Sequence, residues 1–236
     1  MGDDGGGSLF AMQILNLPDQ PIYKKHIVAA RQPIAAFGPA FCRSTQSCLH
    51  VNIDVPICLC GGGTYQSTTV DKQSGGLLFS TFSPTKGGAF RTLNSGGLSL
   101  ASTANGSKGW LTKKIDIYKG KERVATVWKD TVTTVAIFFK VYITVGQGLT
   151  AASPETSVDN RLPALTMRPD FAGGAGGALW RYKDDRQAVI MEMTNVRGVD
   201  SFLPKKTCQL NIGGNLDVAL AVMVYEATQI LMASWA

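Results

Sequence analysis

The sequence NLDVALAVMVYEATQILMASWA, residues 215–236, gives the clearest indication of the architecture of this 236-residue chain. Residues 218–225 are all apolar, with neither the alternation of a strand nor the polar stripe of a surface helix. A helix that is apolar on every side is either the buried centre of a fold or a membrane span. Twenty helical residues would extend about 30 Å, which is enough to cross a bilayer.

Three polar residues, Glu226, Thr228 and Gln229, lie near the middle of this stretch. A carboxylate at the centre of a bilayer costs several kcal/mol, so the pattern favours a core helix and no transmembrane span. We expect Glu226 to lie near a mouth of the fold or to find a partner there. At the start of the helix, Asn215 is predicted to be the N-cap, and Asp217 in the first turn would complement the helix dipole.

Short strands precede the helix. Between residues 48 and 58 apolar residues alternate with polar ones, which predicts a strand with one buried face. Similar segments, separated by turns rich in Gly, Asn and Asp, predict about a dozen meandering strands. The sequence therefore indicates a mainly β fold, a closed antiparallel β-barrel of about twelve strands wrapped around a buried C-terminal helix. The strands are predicted at 48–58, 65–70, 77–82, 90–93, 98–102, 110–113, 115–118, 124–128, 136–145, 165–168, 179–182, 188–194 and 207–212.

The domain organisation is simple. Residues 1–21 are predicted to be a flexible segment, and residues 22–236 to be a single domain. Pro33 and Pro39 push their predecessors towards extended conformations, so residues 27–41 are predicted to form an extended arm. The polar stretch 146–163 is long for a loop and is predicted to be a mobile insertion.

Composition narrows the functional classes. Twenty-three basic and 17 acidic residues give a net charge of +6, which permits attraction to phosphates or anionic lipid surfaces. No secretory signal is recognisable, so we expect reduced thiols and a cytoplasmic location. The five cysteines and two histidines lack metal-ligand spacing, and no cofactor is expected. The basic–aromatic interleaving typical of RNA-binding proteins is absent, and no nucleic-acid partner is expected.

Catalysis is not predicted. No nucleophile elbow, metalloprotease, dinucleotide-binding or P-loop motif occurs. Cys48 and His50 lie two residues apart on one strand, a spacing that offers no general-base geometry. Asp184 and Asp185 are best explained as turn residues. An uncharacterised enzyme remains a second alternative to a binding protein.

Several segments, in order, resemble LURP-one-related proteins of the tubby C-terminal-like and phospholipid-scramblase-like superfamily. Together they cover residues 30–232. The chain departs from the family pattern where Gly213 or Gly214 replaces a proline, where Ile115 replaces a tryptophan, and in the stretch 146–163. The segments are Phe41-Cys42, LHVNIDV, VDKQSGGLLFSTFS, RTLNSGGLSLAST, IDIYKG, VATVWK, AVIMEMTNV and LNIGGNLDVALAVMVYEATQI.

The resemblance implies a non-enzymatic binding or adaptor protein in plant defence or growth signalling. It implies docking on anionic lipids or phosphoinositides, a peripheral membrane location and signalling proteins as partners. A scramblase-like membrane protein with the helix inserted is the alternative. A basic cluster around one predicted hairpin could bind a head-group phosphate. Its residues are Lys113, Lys114, Lys119, Lys121, Arg123 and Lys129, with Lys205-Lys206 as a weaker candidate.

Overall fold

In the part of the chain that it describes, the computed structural model shows twelve β-strands followed by one helix. It describes residues 26–54, 63–85, 88–106, 112–130, 140–145, 164–170, 178–184, 186–196 and 207–233. A short 3-10 turn, Pro39–Phe41, precedes the strands. In chain order the elements are β1 Ser47–Asp54, β2 Tyr65–Asp71, β3 Leu77–Ser83, β4 Thr92–Ser95, β5 Leu98–Asn105, β6 Thr112–Lys119, β7 Glu122–Asp130, β8 Lys140–Val145, β9 Ala164–Asp170, β10 Ala178–Lys183, β11 Val189–Val196, β12 Thr207–Ile212 and α1 Val218–Ala233.

All strand pairs are antiparallel, and each strand pairs with its neighbour in the chain. In addition, β1 pairs with β12, with Leu49 opposite Leu210. Each strand therefore has a hydrogen-bonded neighbour on both sides. The mainly antiparallel β-sheet with one C-terminal helix, predicted from the sequence, is confirmed.

The inward face of the sheet packs around α1. Residues of β1, β6, β7 and β12 such as Leu49, Ile117, Val127 and Leu210 are fully buried in one hydrophobic cluster with the helix. Every residue of α1 from 218 to 231 is buried. This all-round burial explains why the helix lacks an amphipathic pattern. The helical residues that the structure describes include no segment both long and apolar enough to span a membrane.

An arm of residues 26–46 lies across the start of α1. Ile34 pairs with Leu216, and the backbone N–H of Ala30 donates to the carbonyl of Gly214 at 2.8 Å. The carbonyls of Val28 and Ser44 approach Gly213 and Gly214 so closely that a β-carbon on either glycine would overlap them. The arm predicted at 27–41 is tied to the segment that follows β12, and it contains bends at 31–32 and 36–37 and the 3-10 turn Pro39–Phe41.

The first residue of the helix differs from the prediction. Helix α1 begins at Val218, so Asp217 is the N-cap and the expectation that Asn215 fills this role is wrong. Asp217 Oδ1 accepts hydrogen bonds from the backbone N–H groups of Ala219 at 2.9 Å and Leu220 at 3.1 Å. Asn215 has a positive φ of 63° and instead donates through Nδ2 to the carbonyl of Ala30.

Two strands also differ from their predicted bounds. The strand predicted at 90–93 begins two residues before the observed strand β4, which is Thr92–Ser95. The turn after β4 falls on Gly96 and Gly97, which both have positive φ. The separate strands expected at 110–113 and 115–118 correspond to the single strand β6 in the part that is described. The remaining strands agree to within a few residues. The expectations for 1–21, 55–62, 136–139 and 146–163 lie outside the described residues.

Candidate anion-binding surface

One end of the sheet, here called the helix-entry end, gathers alternate turns of the meander. It consists of the turns at 72–76, 96–97, 120–121 and 184–188, together with residues 213–217, where α1 begins. These turns share one end because successive antiparallel strands reverse direction. The arm contacts the same end through the Ile27–Val189 and Ile34–Leu216 bridges. Residues distant in sequence therefore meet here.

The β6–β7 hairpin contributes the two cations that best match the predicted site. Lys119 is the last residue of β6 and Lys121 lies in the turn, and both are exposed. Lys119 Nζ donates to the carbonyl of Phe37 at 3.1 Å, which ties the hairpin to the arm. The structure thus brings Lys119 and Lys121 together at the helix-entry end.

The other four predicted residues do not join them at the turn. Lys114 is buried, with 6% of its surface exposed, and this does not suit contact with a head group. The Arg123 guanidinium forms an ion pair with Asp116 at 3.5 Å, and 9% of its side chain is exposed. Lys113 and Lys129 are opposite each other in the β6–β7 register. They lie about 20 Å along the strands from the turn, at about 3.3 Å per residue. Lys205 and Lys206 lie outside the described residues.

Additional cations lie at the helix-entry end on other parts of the chain. Arg31 in the arm and Arg186 in the β10–β11 turn are exposed, while Lys72 and Lys183 are half-buried. Reasoning from charge clusters along the sequence missed these residues because they lie on the arm, in the β2–β3 turn and at the β10–β11 turn, three segments that are far apart in the sequence. The alternation of turns in an antiparallel meander was the signal that could have grouped Lys72, Lys183 and Arg186 with Lys119.

Two acidic residues at this end, Asp71 and Asp184, are engaged within the fold. Asp71 is buried and accepts a 2.6 Å hydrogen bond from Arg43. Asp184 Oδ1 accepts from the backbone N–H groups of Arg186 and Ala188, which confirms the turn role predicted for Asp184. Among the described acidic residues of this end, Glu122 is the exposed one. Among the described residues of the helix-entry end, the exposed charge is therefore predominantly positive.

Asp217 links the arm to the helix. Its Oδ2 accepts a 2.7 Å hydrogen bond from the backbone N–H of Phe37, the residue whose carbonyl receives Lys119. Burial raises the pKa of Asp217 above its ordinary value, although hydrogen bonds from the backbone of Phe37, Leu220 and Ala219 oppose the shift. The backbone of Phe37 thus connects Asp217, the N-cap of α1, to Lys119 in the β6–β7 hairpin.

A second charged cluster lies inside the sheet around Glu226. Its carboxylate is ion-paired with Arg91 and accepts hydrogen bonds from Ser67 Oγ at 2.8 Å and Tyr65 Oη at 3.2 Å. The Arg91 guanidinium also lies 3.8 Å from the centre of the Tyr65 ring. Burial disfavours the charged guanidinium, but the Glu226 carboxylate outweighs it and raises the pKa of Arg91. The expectation that Glu226 finds a partner is confirmed.

The interior thiols and hydroxyls are held in their neutral forms. Burial, reinforced by Glu226, raises the pKa of Cys208 far above its usual range, and burial also raises the pKa of Tyr182. Burial and the charge of Asp217 raise the pKa of Cys42. A protonated thiol is a poor nucleophile and a poor metal ligand. No group of three or more potential metal ligands occurs among the described residues.

Comparison of the chain with protein-family models, with curated proteins and with solved structures finds no match.

Proposed function

We propose that this chain is a non-enzymatic binding or adaptor protein that docks on anionic lipid head groups through its helix-entry end. The observation that carries the proposal is the imbalance of exposed charge there. Arg31, Lys119, Lys121 and Arg186 are exposed, against Glu122 as the exposed acid among the described residues. Basic residues near an anionic bilayer each contribute about 1 kcal/mol of attraction.

The architecture fits the resemblance noted in the sequence, and we include membership of the LURP-one-related family in the proposal. In that family a closed barrel would enclose the terminal helix. The pairing of β1 with both β2 and β12 and the burial of α1 support this arrangement. On this proposal the protein is cytoplasmic, peripheral at membranes and connected to signalling partners in plant defence or growth.

The burial of α1 bears on the scramblase-like alternative. Inserting the helix into a bilayer would remove the centre of the hydrophobic cluster that includes Leu49, Ile117 and Leu210. It would also separate Glu226 from Arg91. We therefore propose a protein that uses its surface for docking and retains its helix in the core.

Vesicle sedimentation of the full chain tests the proposal. We expect binding to phosphatidylcholine vesicles containing phosphatidylserine or a phosphoinositide, weaker binding to phosphatidylcholine alone, and loss of binding as salt is added. The double variant Lys119→Gln/Lys121→Gln should lower the partition coefficient about thirtyfold, since two charges at about 1 kcal/mol each amount to about 2 kcal/mol.

The matched control is Glu122→Lys, which adds positive charge to the same turn and should strengthen binding. Equal binding by the wild type and both variants would show that this turn is not the site. If a soluble inositol phosphate bound with the same lysine dependence while vesicles did not, the ligand would be a small anion, and the lipid-docking proposal would be wrong.

A further inference from the structure

The helix-entry end carries exposed apolar side chains as well as cations. Leu98 and Leu77 are the two most exposed of the large hydrophobic residues that the structure describes, at 77% and 64%. Leu77 is the first residue of β3 and Leu98 the first residue of β5, so each directly follows a turn of the helix-entry end. Val28, in the arm at the same end, is 43% exposed. Exposed leucines scattered singly would need no explanation, but these share one end.

The strand ladders place the two leucines close together. Only β4 separates β3 from β5, with Asn94 opposite both Ser80 and Ser99. Two strand spacings of about 4.8 Å put the β3 and β5 backbones about 10 Å apart. Leu77 lies three residues before Ser80 and Leu98 one residue before Ser99, both towards the helix-entry end. The leucines therefore mark the tips of adjacent hairpins.

Cations flank these tips on both sides. Lys72 lies in the turn that precedes β3, and the next hairpin after β5 carries Lys119 and Lys121. A surface that combines exposed leucines with surrounding lysines matches the two layers of an anionic membrane interface. The aliphatic side chains fit the boundary between head groups and acyl chains, and the ammonium groups fit the phosphates. A soluble anion would use the lysines but would make no use of the leucines.

We propose that Leu77 and Leu98 insert into the head-group–acyl boundary of an anionic bilayer, while Lys72, Lys119 and Lys121 contact its phosphates. This inference rests on the proposed function and specifies how the same surface engages a membrane. It predicts that binding has an apolar component that salt does not remove, in addition to the electrostatic component.

The test compares Leu77→Ala/Leu98→Ala with Phe90→Ala in vesicle sedimentation of the full chain, using phosphatidylcholine vesicles that contain phosphatidylserine. Phe90 is 51% exposed but lies just before β4, at the opposite end of the sheet, and is the matched control. Because each change removes three carbon atoms from the apolar surface that would be buried in the bilayer, the double variant should lower the partition coefficient at least about tenfold. Phe90→Ala should leave it unchanged.

A second measurement reads insertion directly. Leu98→Trp should show blue-shifted fluorescence and quenching by lipids brominated along their acyl chains, beyond the quenching of the wild-type protein. Thermal unfolding without vesicles should show that each variant remains folded, as expected for changes at exposed positions.

The outcomes separate the two proposals. If the wild type binds anionic vesicles with the expected salt and lysine dependence, but the leucine variant binds equally well, the insertion proposal is wrong and head-group docking stands. If the wild type binds no anionic vesicles, both proposals fail. If the leucine variant instead abolishes a concentration-dependent dimer while vesicle binding is unchanged, the leucines serve contact between copies of the chain, and insertion is refuted.

Discussion

Replacing Arg91 by leucine should strongly destabilise the protein. In the wild type, 3% of the Arg91 side chain and 0% of the Glu226 side chain are exposed, so the variant leaves a carboxylate inside the sheet without its cation. Breaking a buried ion pair by removing one partner typically costs about 3–5 kcal/mol. Tyr65 and Ser67 still donate to Glu226, which places the expected cost near the lower value.

The assay is urea unfolding of three variants. Arg91→Leu and Glu226→Leu should each shift the midpoint down by about 1–2 M, given a slope of about 2–3 kcal/mol per M. The double variant Arg91→Leu/Glu226→Leu should have a free energy of unfolding within about 2 kcal/mol of that of the wild type. Replacing both charged side chains with apolar ones removes the cost of desolvating each charge. Arg43→Leu is the control, since Arg43 is 34% exposed and its pair with Asp71 should contribute about 1 kcal/mol or less.

The reasoning would be refuted if the free energy of unfolding of Arg91→Leu lay within about 1 kcal/mol of that of the wild type. It would also be refuted if the destabilisation of the double variant equalled the sum of the two single destabilisations.

Three further changes test the helix entry and the core. Gly213→Ala should destabilise the protein by at least about 2 kcal/mol in urea unfolding, because the new β-carbon would overlap the Val28 carbonyl, whereas Gly76→Ala would meet only the end of a flexible Ser74 side chain; equal effects would contradict this account. Asp217→Asn should change the pH profile: the folded-state pKa of Asp217 is raised, so its contribution to stability is fully present below about 3.9 and is lost as the pH rises through the folded pKa. The wild type should thus lose stability relative to Asp217→Asn as the pH rises above about 4, and a stability difference that does not change with pH would refute the raised pKa of Asp217. Tyr182→Phe should cost about 1 kcal/mol in thermal unfolding, because it removes the 3.4 Å contact with Thr228, and a gain in stability would contradict that role.

Local patterns predicted most of the architecture. Strand β12 has the predicted bounds, 207–212, because alternation and the glycines after it both mark its limits. The core position of α1 followed from its uniformly apolar surface and from the polar residues near its middle. These signals are local, and each is set by a few consecutive residues.

The start of α1 and the bounds of β4, which differ from the prediction, depend on contacts between residues that are far apart in the sequence. The segment 90–93 resembled a strand because Phe90 and Leu93 are apolar, but Arg91 is buried against Glu226, 135 residues away. Asn94 and Ser95 have turn chemistry, yet they extend β4 because Gly96 and Gly97 take the positive φ angles of the turn. Asp217 and not Asn215 is the N-cap because the Asn215 side chain donates a hydrogen bond to the carbonyl of Ala30 in the arm. A single sequence gives no signal for these pairings.

The positions of the candidate basic residues followed from the sequence only in part. Lys119 and Lys121 share one turn, as expected of a hairpin, whereas strand geometry places Lys113 and Lys129 far along the same hairpin. Lys114 and Arg123 could not be separated from the exposed lysines by charge alone, since their burial depends on Asp116 and on packing. Grouping Lys72 and Arg186 with Lys119 and Lys121 requires the alternation of turns in the meander, and placing Arg31 at the same end requires the contacts of the arm.

The position of α1 after all twelve strands has a consequence for how the protein forms during synthesis. The strands leave the ribosome before the helix that fills their interior, so their apolar inner face stays without its main partner until residues 218–233 emerge. The ladder between β1 and β12 closes only across more than 150 residues, and long-range pairing slows folding. An intermediate with exposed strands is prone to aggregate and is a natural client for chaperones. We therefore expect the yield of folded protein in cell-free synthesis to depend on how fast residues 218–233 are synthesised after the strands.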